Sequence, residues 1–506
     1  MRSTGITGRT GYVTPNILHI DIDSLRADHL GCYGYHRRTS PNIDHVAGEG
    51  VRFTDCWVSD APCLPSRTAL WSGQVGWRNG VVNHAGARAS SRSEGSSRSY
   101  HDRVGLHGFT PVLREQGYRT ATVSSFADRH SAWHWYAGFA DIIDTGERGM
   151  ETADLITSRA LDWLARNGTS TPWYLHVNYW DPHTPYRTPE EYGDPFVHEP
   201  LPEWLTEDLL ERSRNGCGGH SARDLHGFDP DWAESMREYP RVPLELETFE
   251  DVRRFIDGYD TGVAYVDEHI GRVLETLASQ GLLDETAIVI SADHGENLGE
   301  LNVWGDHQTA DFPTCRVPLI VRWPDLPGGR LDEGLHWALD WAASAIELAG
   351  AEVPADWDGR SFAGAFRDGR SVDRDYIVAS QGAWTCQRGV RFGRHLLLVT
   401  YHDAYKDLPS KLLFDTTDDP HEEHDLAEAR PDLVREGLRL LEEFSEEFAP
   451  LPDPLETVVA EGGGAHCRGE LPAYAEHLRL TDRGELADRL LAAHPADARE
   501  TVGSMG

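Results

Sequence analysis

Dense apolar stretches at residues 16–22, 119–124, 173–179 and 286–291 read as strands, each followed by a break into polar residues. Between them the period lengthens to that of helices. Residues 110–118 hold a short helix, and residues 151–166 carry Leu155, Ala160, Leu161 and Leu164 on one side. Residues 249–280 carry Ile256, Tyr259, Val263, Val266, Ile270, Val273 and Leu277 as one long stripe. Strands alternating with helices predict an α/β layer architecture. Past residue 375 the pattern changes: 376–400 and 411–415 predict a small antiparallel sheet, followed by a helix over 431–448. A Pro- and Gly-containing linker follows residue 450, then an amphipathic helix near 473–493. The expected division is 14–370, 371–450 and a tail at 451–506.

Chemistry-bearing residues gather at the carboxyl ends of the strands, where open α/β sheets place ligands. Asp23 follows the first strand, Asp181 and His183 the third, and Asp293 with His294 the fourth. Asp23, Asp293 and His294 can share a cation; carboxylates point to Ca²⁺ or Mg²⁺, and the imidazole shifts the set toward Mn²⁺ or Zn²⁺. Asp21 faces the same side as Asp23 and reads as a solvent or supporting carboxylate. Pro65 is pre-set for a first helical turn, so Cys63 falls at a helix N-terminus. Beside Arg67, that position predicts a thiol of depressed pKa and a nucleophile, against the alternative of a small buried hydrophobe.

The pentapeptide Cys63-Leu64-Pro65-Ser66-Arg67 resembles the signature of sulfatases, in which the cysteine is oxidised after translation to formylglycine. Four further segments resemble the same family in the same order: residues 16–34, Asp181-Pro182-His183-Thr184-Pro185-Tyr186, residues 291–300 and residues 414–427. The resemblance implies an alkaline-phosphatase-like fold, a large mixed and mostly parallel sheet sandwiched by helices, with a smaller C-terminal subdomain of antiparallel sheet plus helix. It also implies a formylglycine nucleophile at position 63, held by Arg67 and a divalent cation on Asp23, Asp293 and His294. Ca²⁺ is the family's common metal, with Mn²⁺ the alternative. In that scheme a hydroxyl of the hydrated aldehyde attacks the ester and expels an alcohol, and His183 or His307 supplies the leaving group's proton.

The chain departs from the family in three places. Ser24 stands where many sulfatases have a second Asp; Ser125-Phe126-Ala127 stands where most have lysine, one residue and histidine; and Asp306 precedes His307 where relatives often have lysine. Asp128-Arg129-His130 is the nearest replacement, with Arg129 as anion clamp and His130 as proton carrier, unless it is an exposed turn. Asn83 matches an asparagine that contacts the substrate oxyanion, or else belongs to a turn built on Asn79-Gly80. Asp306 orients His307 or reads a substrate group. Arg88, Arg92 and Arg98 lie on a Ser/Arg-rich surface loop within reach of an anion. Residues 187–246, rich in Glu, Asp, Pro and Gly, read as an insertion shaping substrate access.

Composition narrows the partners. A net charge of −36 disfavours nucleic acid and anionic membranes. Of 47 basic residues only Lys406 and Lys411 are lysines, a bias expected of a GC-rich genome or a protein working at high salt. Seven cysteines without paired spacing argue against a disulfide framework. No 20-residue apolar run or leader pattern occurs, so a cytoplasmic protein is expected. The expected substrate is a small-molecule or saccharide sulfate ester, and the expected maturation partner a formylglycine-generating enzyme. The alternatives are a phosphonate monoester hydrolase or phosphodiesterase on the same scaffold, and a non-catalytic binding protein.

Overall fold

The computed structural model describes residues 14–92, 103–170, 172–367, 369–370 and 372–499. Its strands in chain order are β1 (Asn16–Ile22), β2 (Val51–Trp57), β3 (Asp60–Ala61), β4 (Arg119–Val123), β5 (Asp141–Ile143), β6 (Trp173–Tyr179) and β7 (Thr286–Ala292). There follow β8 (Asn297–Leu298), β9 (Trp304–Asp306), β10 (Arg316–Arg322), β11 (Arg330–Trp337), β12 (Tyr376–Gln381), β13 (Cys386–Phe392), β14 (His395–His402) and β15 (Lys411–Asp415).

The main sheet runs β11-β2-β10-β7-β1-β6-β4-β5. Only β10 is reversed: it is antiparallel to both β7 and β2, while the remaining pairings are parallel. β1, β6 and β7 are buried along their whole lengths, as expected of strands covered by helices on both faces. β1 lies between β6 and β7, so the chain leaves its carboxyl end between two connections, the position where a crevice opens.

Two helices cover one face. Phe249–Ser279 buries every predicted stripe residue, and its N-terminus is closed by a Thr248–Asp251 capping box. Ala153–Asn167 buries Ile156, Ala160, Trp163 and Leu164, whereas Leu155 and Leu161 are only half-buried. The buried stripe runs through Ile156, Ala160, Trp163 and Leu164 at i, i+4, i+7 and i+8, with the Trp163 ring edge-on to Trp173 of β6.

The smaller sheet runs β15-β14-β13-β12-β3, antiparallel except for β12 with β3. Through β3 it grips the segment that leads directly to Cys63. Helix Pro431–Glu447 packs on this sheet, and its Leu440, Leu441 and Phe444 join the same apolar core as the main sheet. The tail forms three α-helices, Pro454–Ala460, Leu471–Leu480 and Gly484–Ala493, where a linker and one helix are expected from the sequence. Among the described residues no helix is long and apolar enough to cross a membrane.

Candidate active site

Cys63 is the first residue of helix Cys63–Ser72 and is 1% exposed. One turn on, Arg67 reaches three carboxylates from three different places. Its Nε donates to Asp21 Oδ2 at 2.8 Å, and its Nη1 donates to Asp23 Oδ2 at 3.0 Å and also to Asp293 Oδ2. All four side chains are buried. Asp21, expected to be peripheral, is a buried anchor for Arg67, and its Oδ2 also lies 3.3 Å from His176 Nε2.

Three carboxylates against one guanidinium leave an excess of two negative charges in a region shielded from water. The cost of burying such an excess is offset by a bound cation or by protonation. Accordingly burial, with Asp23 and Asp21 nearby, pushes Asp293 well above the usual carboxylate range. Ser24, at φ 59° in the left-handed region, turns the chain so that its backbone N–H donates to Asp293 Oδ1 at 3.3 Å. Its hydroxyl donates to Asp23 Oδ1 at 3.3 Å.

His294 completes the cluster. Its Nδ1–H donates to the Gly295 carbonyl at 2.8 Å, which leaves the Nε2 lone pair facing inward. That atom lies 3.1 Å from Cys63 Sγ, 3.2 Å from Asp293 Oδ2 and 3.9 Å from Asp23 Oδ1. Burial, then His307, lowers its pKa well below the ordinary value, keeping it neutral. Donor atoms of Asp23, Cys63, Asp293 and His294 all fall within 4.8 Å of one another. Converging lone pairs, two spare negative charges and a hard-oxygen-plus-imidazole donor set fit a divalent cation.

The depressed thiol pKa expected of Cys63 is not found. Burial, then the Asp23 carboxylate, pushes the thiol up to about 12. Arg67 spends its charge on Asp21, Asp23 and Asp293, so the local field at sulfur is negative. An unmodified cysteine here is a poor nucleophile.

His307 Nδ1–H donates to Glu296 Oε2 at 3.0 Å, and its ring lies 4.0 Å from that of His294. Burial works against its charge, but Asp306, Cys63 and Glu296 together raise its pKa well above the ordinary value. Asp306 accepts the His307 backbone N–H at 2.7 Å and pairs with His220 Nε2 at 3.0 Å, so it orients its neighbour. His183 donates Nδ1–H to the Thr184 carbonyl, and burial lowers its pKa to about 3. His307 therefore holds a proton near neutrality and His183 does not.

A cavity of about 700 Å³ opens above Cys63, with Arg129, His130, His183, Asp306 and His307 in its walls. The buried His130 Nε2 has no protein partner, and the Arg129 guanidinium lies 5.3 Å over the Trp180 ring. Asn83 is not in this wall. Its Oδ1 accepts the backbone N–H of His84 and of Ala465, because the chain turns away from the cavity there. His84 lines the cavity in its place. Arg88 and Arg92 also turn away, donating to Thr457 Oγ1 and the Pro452 carbonyl, whereas Arg98 lies outside the described residues. Sequence reasoning missed His84, His220, Trp384 and His466, all of which line the cavity. A histidine count of 25 was the only available signal.

The comparisons agree with this architecture. The Sulfatase family profile matches residues 15–351, and the N-sulphoglucosamine sulphohydrolase C-terminal profile matches residues 299–439. An N-acetylglucosamine-6-O-sulfatase from Bacteroides thetaiotaomicron is 25% identical, the alignment covering 88% of this chain and 89% of that protein. A structure solved with its substrate D-glucosamine-2-N,6-O-disulfate superimposes with a TM-score of 0.69 at 21% identity, over 87% of this chain and 99% of the other. The phosphonate monoester hydrolase of Agrobacterium radiobacter shares the fold at a TM-score of 0.64 and 19% identity, over 88% and 97%. With two thirds of its length matched by one family profile, the chain belongs to the sulfatase family.

Proposed function

We propose that the protein hydrolyses a sulfate ester of a saccharide, using formylglycine formed from Cys63 and a divalent cation held by Asp23, Asp293 and His294. The observation that carries this reading is the Cys63 environment: its Sγ lies within 4.8 Å of donor atoms of Asp23, Asp293 and His294, a buried cluster with an excess of negative charge that suits an oxygen nucleophile on a cation and not a thiolate. Saccharide esters are favoured by the N-acetylglucosamine-6-O-sulfatase relative and by the neighbour solved with a sulfated glucosamine. The aldehyde supplies a hydrated carbon with two hydroxyls, and the cation supplies Lewis acidity toward the ester oxygen. Calcium suits the carboxylates, and manganese suits the imidazole as well.

This chain's residues do the remainder. Arg67 locks Asp21, Asp23 and Asp293 in register and holds position 63 over the cluster. His307, cationic and braced by Glu296 and Asp306, donates the leaving alcohol's proton. His183, neutral, accepts a proton from position 63. Arg129 and His130 face the anion from the opposite wall, in place of the family's lysine and histidine.

The test is the mass of the peptide containing Cys63, from protein made beside a formylglycine-generating enzyme, together with its reaction with a hydrazide. An aldehyde is expected; an unmodified thiol there would overturn the proposed nucleophile. A second reading, phosphonate monoester hydrolysis, is favoured by the imidazole in the donor set and by the Agrobacterium neighbour. The kcat/KM ratio for aryl sulfate over aryl phosphonate decides between them: above one is expected, below one installs the second reading.

A further inference from the structure

The cavity above Cys63 does not end at the reacting group. It opens into a neighbouring cavity of about 430 Å³, and His220, Trp232, Trp384 and His466 border both. Together they exceed what one sulfated hexose fills, for ligand sites of ~300–1,000 Å³ hold molecules of drug size. The second cavity adds His226, Phe228, Asp229 and Glu470, and among the described residues no arginine or lysine borders it.

Its walls are assembled from three segments, one of them the β12–β13 connection that carries Trp384. Trp232 and Phe228 come from the insertion at 187–246, and His466 with Glu470 from the tail, beyond the last residue that either family profile matches. The tail is fitted closely at this point. The Gly464 N–H donates to the Trp384 carbonyl at 3.2 Å and the His466 N–H to the Ala383 carbonyl at 3.1 Å. A Cβ on Gly464 would sit 2.2 Å from the Ala383 carbonyl, so only glycine permits the approach. The His466 ring then lies nearly parallel to Trp384, with centroids 5.1 Å apart, and its Nε2 is 2.9 Å from His84 Nδ1. On the far side His226 Nε2 is buried without a partner, although His226 is otherwise packed away at 8% exposure. Trp232, 39% exposed, offers its ring to the cleft.

We propose that this second cavity is a subsite for an uncharged or amine-bearing sugar unit linked to the sulfated one, so that the substrate is a sulfated oligosaccharide whose neighbouring unit is not a uronate. Aromatic rings suit the apolar C–H face of a pyranose, and the imidazoles of His226 and His466 pair with its hydroxyls. Asp229 and Glu470 make the wall acidic; burial and the Asp229 charge already push Glu470 upward. A carboxylate or second sulfate entering there meets the like charge of Glu470, whereas a neutral or amino sugar does not. Arg129 borders the first cavity and not the second.

The inference rests on the sulfatase reading for the sulfated unit, and the experiment separates the two. kcat/KM is measured for 6-sulfated N-acetylglucosamine alone, linked to galactose and linked to glucuronate. The galactose-linked substrate is expected to exceed the glucuronate-linked one by about tenfold. His466→Ala and Trp232→Ala are each expected to lower the disaccharide-to-monosaccharide ratio by about fivefold. Glu470→Arg is expected to invert the galactose-over-glucuronate preference. In parallel, saturation-transfer NMR with the unsulfated disaccharides reads contact at the neighbouring ring without turnover. Glucuronate equal or preferred in the unaltered protein, or ratios unmoved in all three variants, overturns the subsite. Hydrolysis without galactose selection removes the subsite and leaves the sulfatase reading. Galactose selection in the NMR without hydrolysis of any sulfate ester leaves the subsite and removes the sulfatase reading.

Discussion

Arg67 is the residue on which the site's electrostatics turn, because its guanidinium faces Asp21, Asp23 and Asp293 together. Removing one partner of a buried charge cluster costs about 3–5 kcal/mol, so Arg67→Ala is expected to lower stability by that order in denaturant titration. A cation that binds only the folded state adds about 2.7 kcal/mol at a hundredfold excess over its Kd. The melting temperature should therefore climb with added calcium or manganese and barely move in Asp293→Asn; a flat response in the unaltered protein sinks the cation assignment. His307→Gln is expected to lower kcat by about 10²–10⁴-fold on an alkyl sulfate. The loss should shrink on nitrophenyl sulfate, whose leaving group needs no proton. His307's raised pKa means the cation persists through neutrality, so kcat should fall as pH rises through the folded value, and that limb should vanish in the variant. Cys63, Asp23, Asp293 and His294 were legible in the sequence because each sits in a short motif at a strand or helix end. The pKa of Cys63 was not legible, for it depends on how Arg67 divides its charge among residues up to 226 positions away.

At the scale of elements, the tail is the unexpected contributor. It is held by a buried knot in which Arg483 pairs with both Asp224 oxygens at 2.7 and 2.8 Å, and Tyr474 and His477 bond the same carboxylate. Burial opposes the Asp224 charge, yet His477 and Arg483 hold its pKa well below the usual carboxylate range. A depressed folded pKa contributes stability that is present above the unfolded value near 3.9 and is lost as pH falls toward the folded one. Through this knot, docking of the tail should weaken as pH falls into that acid window, read as accelerated proteolysis after residue 450; equal proteolysis rates at pH 6 and pH 3 would refute the knot's role. Asp224→Asn should bring the same exposure at neutral pH. Helical periodicity predicted the tail's helices but not their docking, since the partner carboxylate lies in an insertion with no periodic pattern of its own.

The molecule as a whole joins its two sheets through β3 and through one continuous apolar core that includes Ile17 of the main sheet, Leu397 of the small sheet and Phe444 of the last long helix. Calorimetry is expected to show the two sheets unfolding in one transition, with van't Hoff and calorimetric enthalpies agreeing; two separated transitions would show that the shared core does not couple them. The sequence by itself determined the layer architecture, the strand ends that carry carboxylates and the helix that begins at Cys63. Those follow from local periodicity and turn chemistry, which act over a few residues. Tertiary structure alone decided that Asp21 braces Arg67, that Asn83 serves the backbone while His84 faces the cavity, and that His466 crosses from the tail to stand beside Trp384. Such placements depend on which surfaces pack together once the sheets are formed. Burial and charge then act between residues that no local pattern connects.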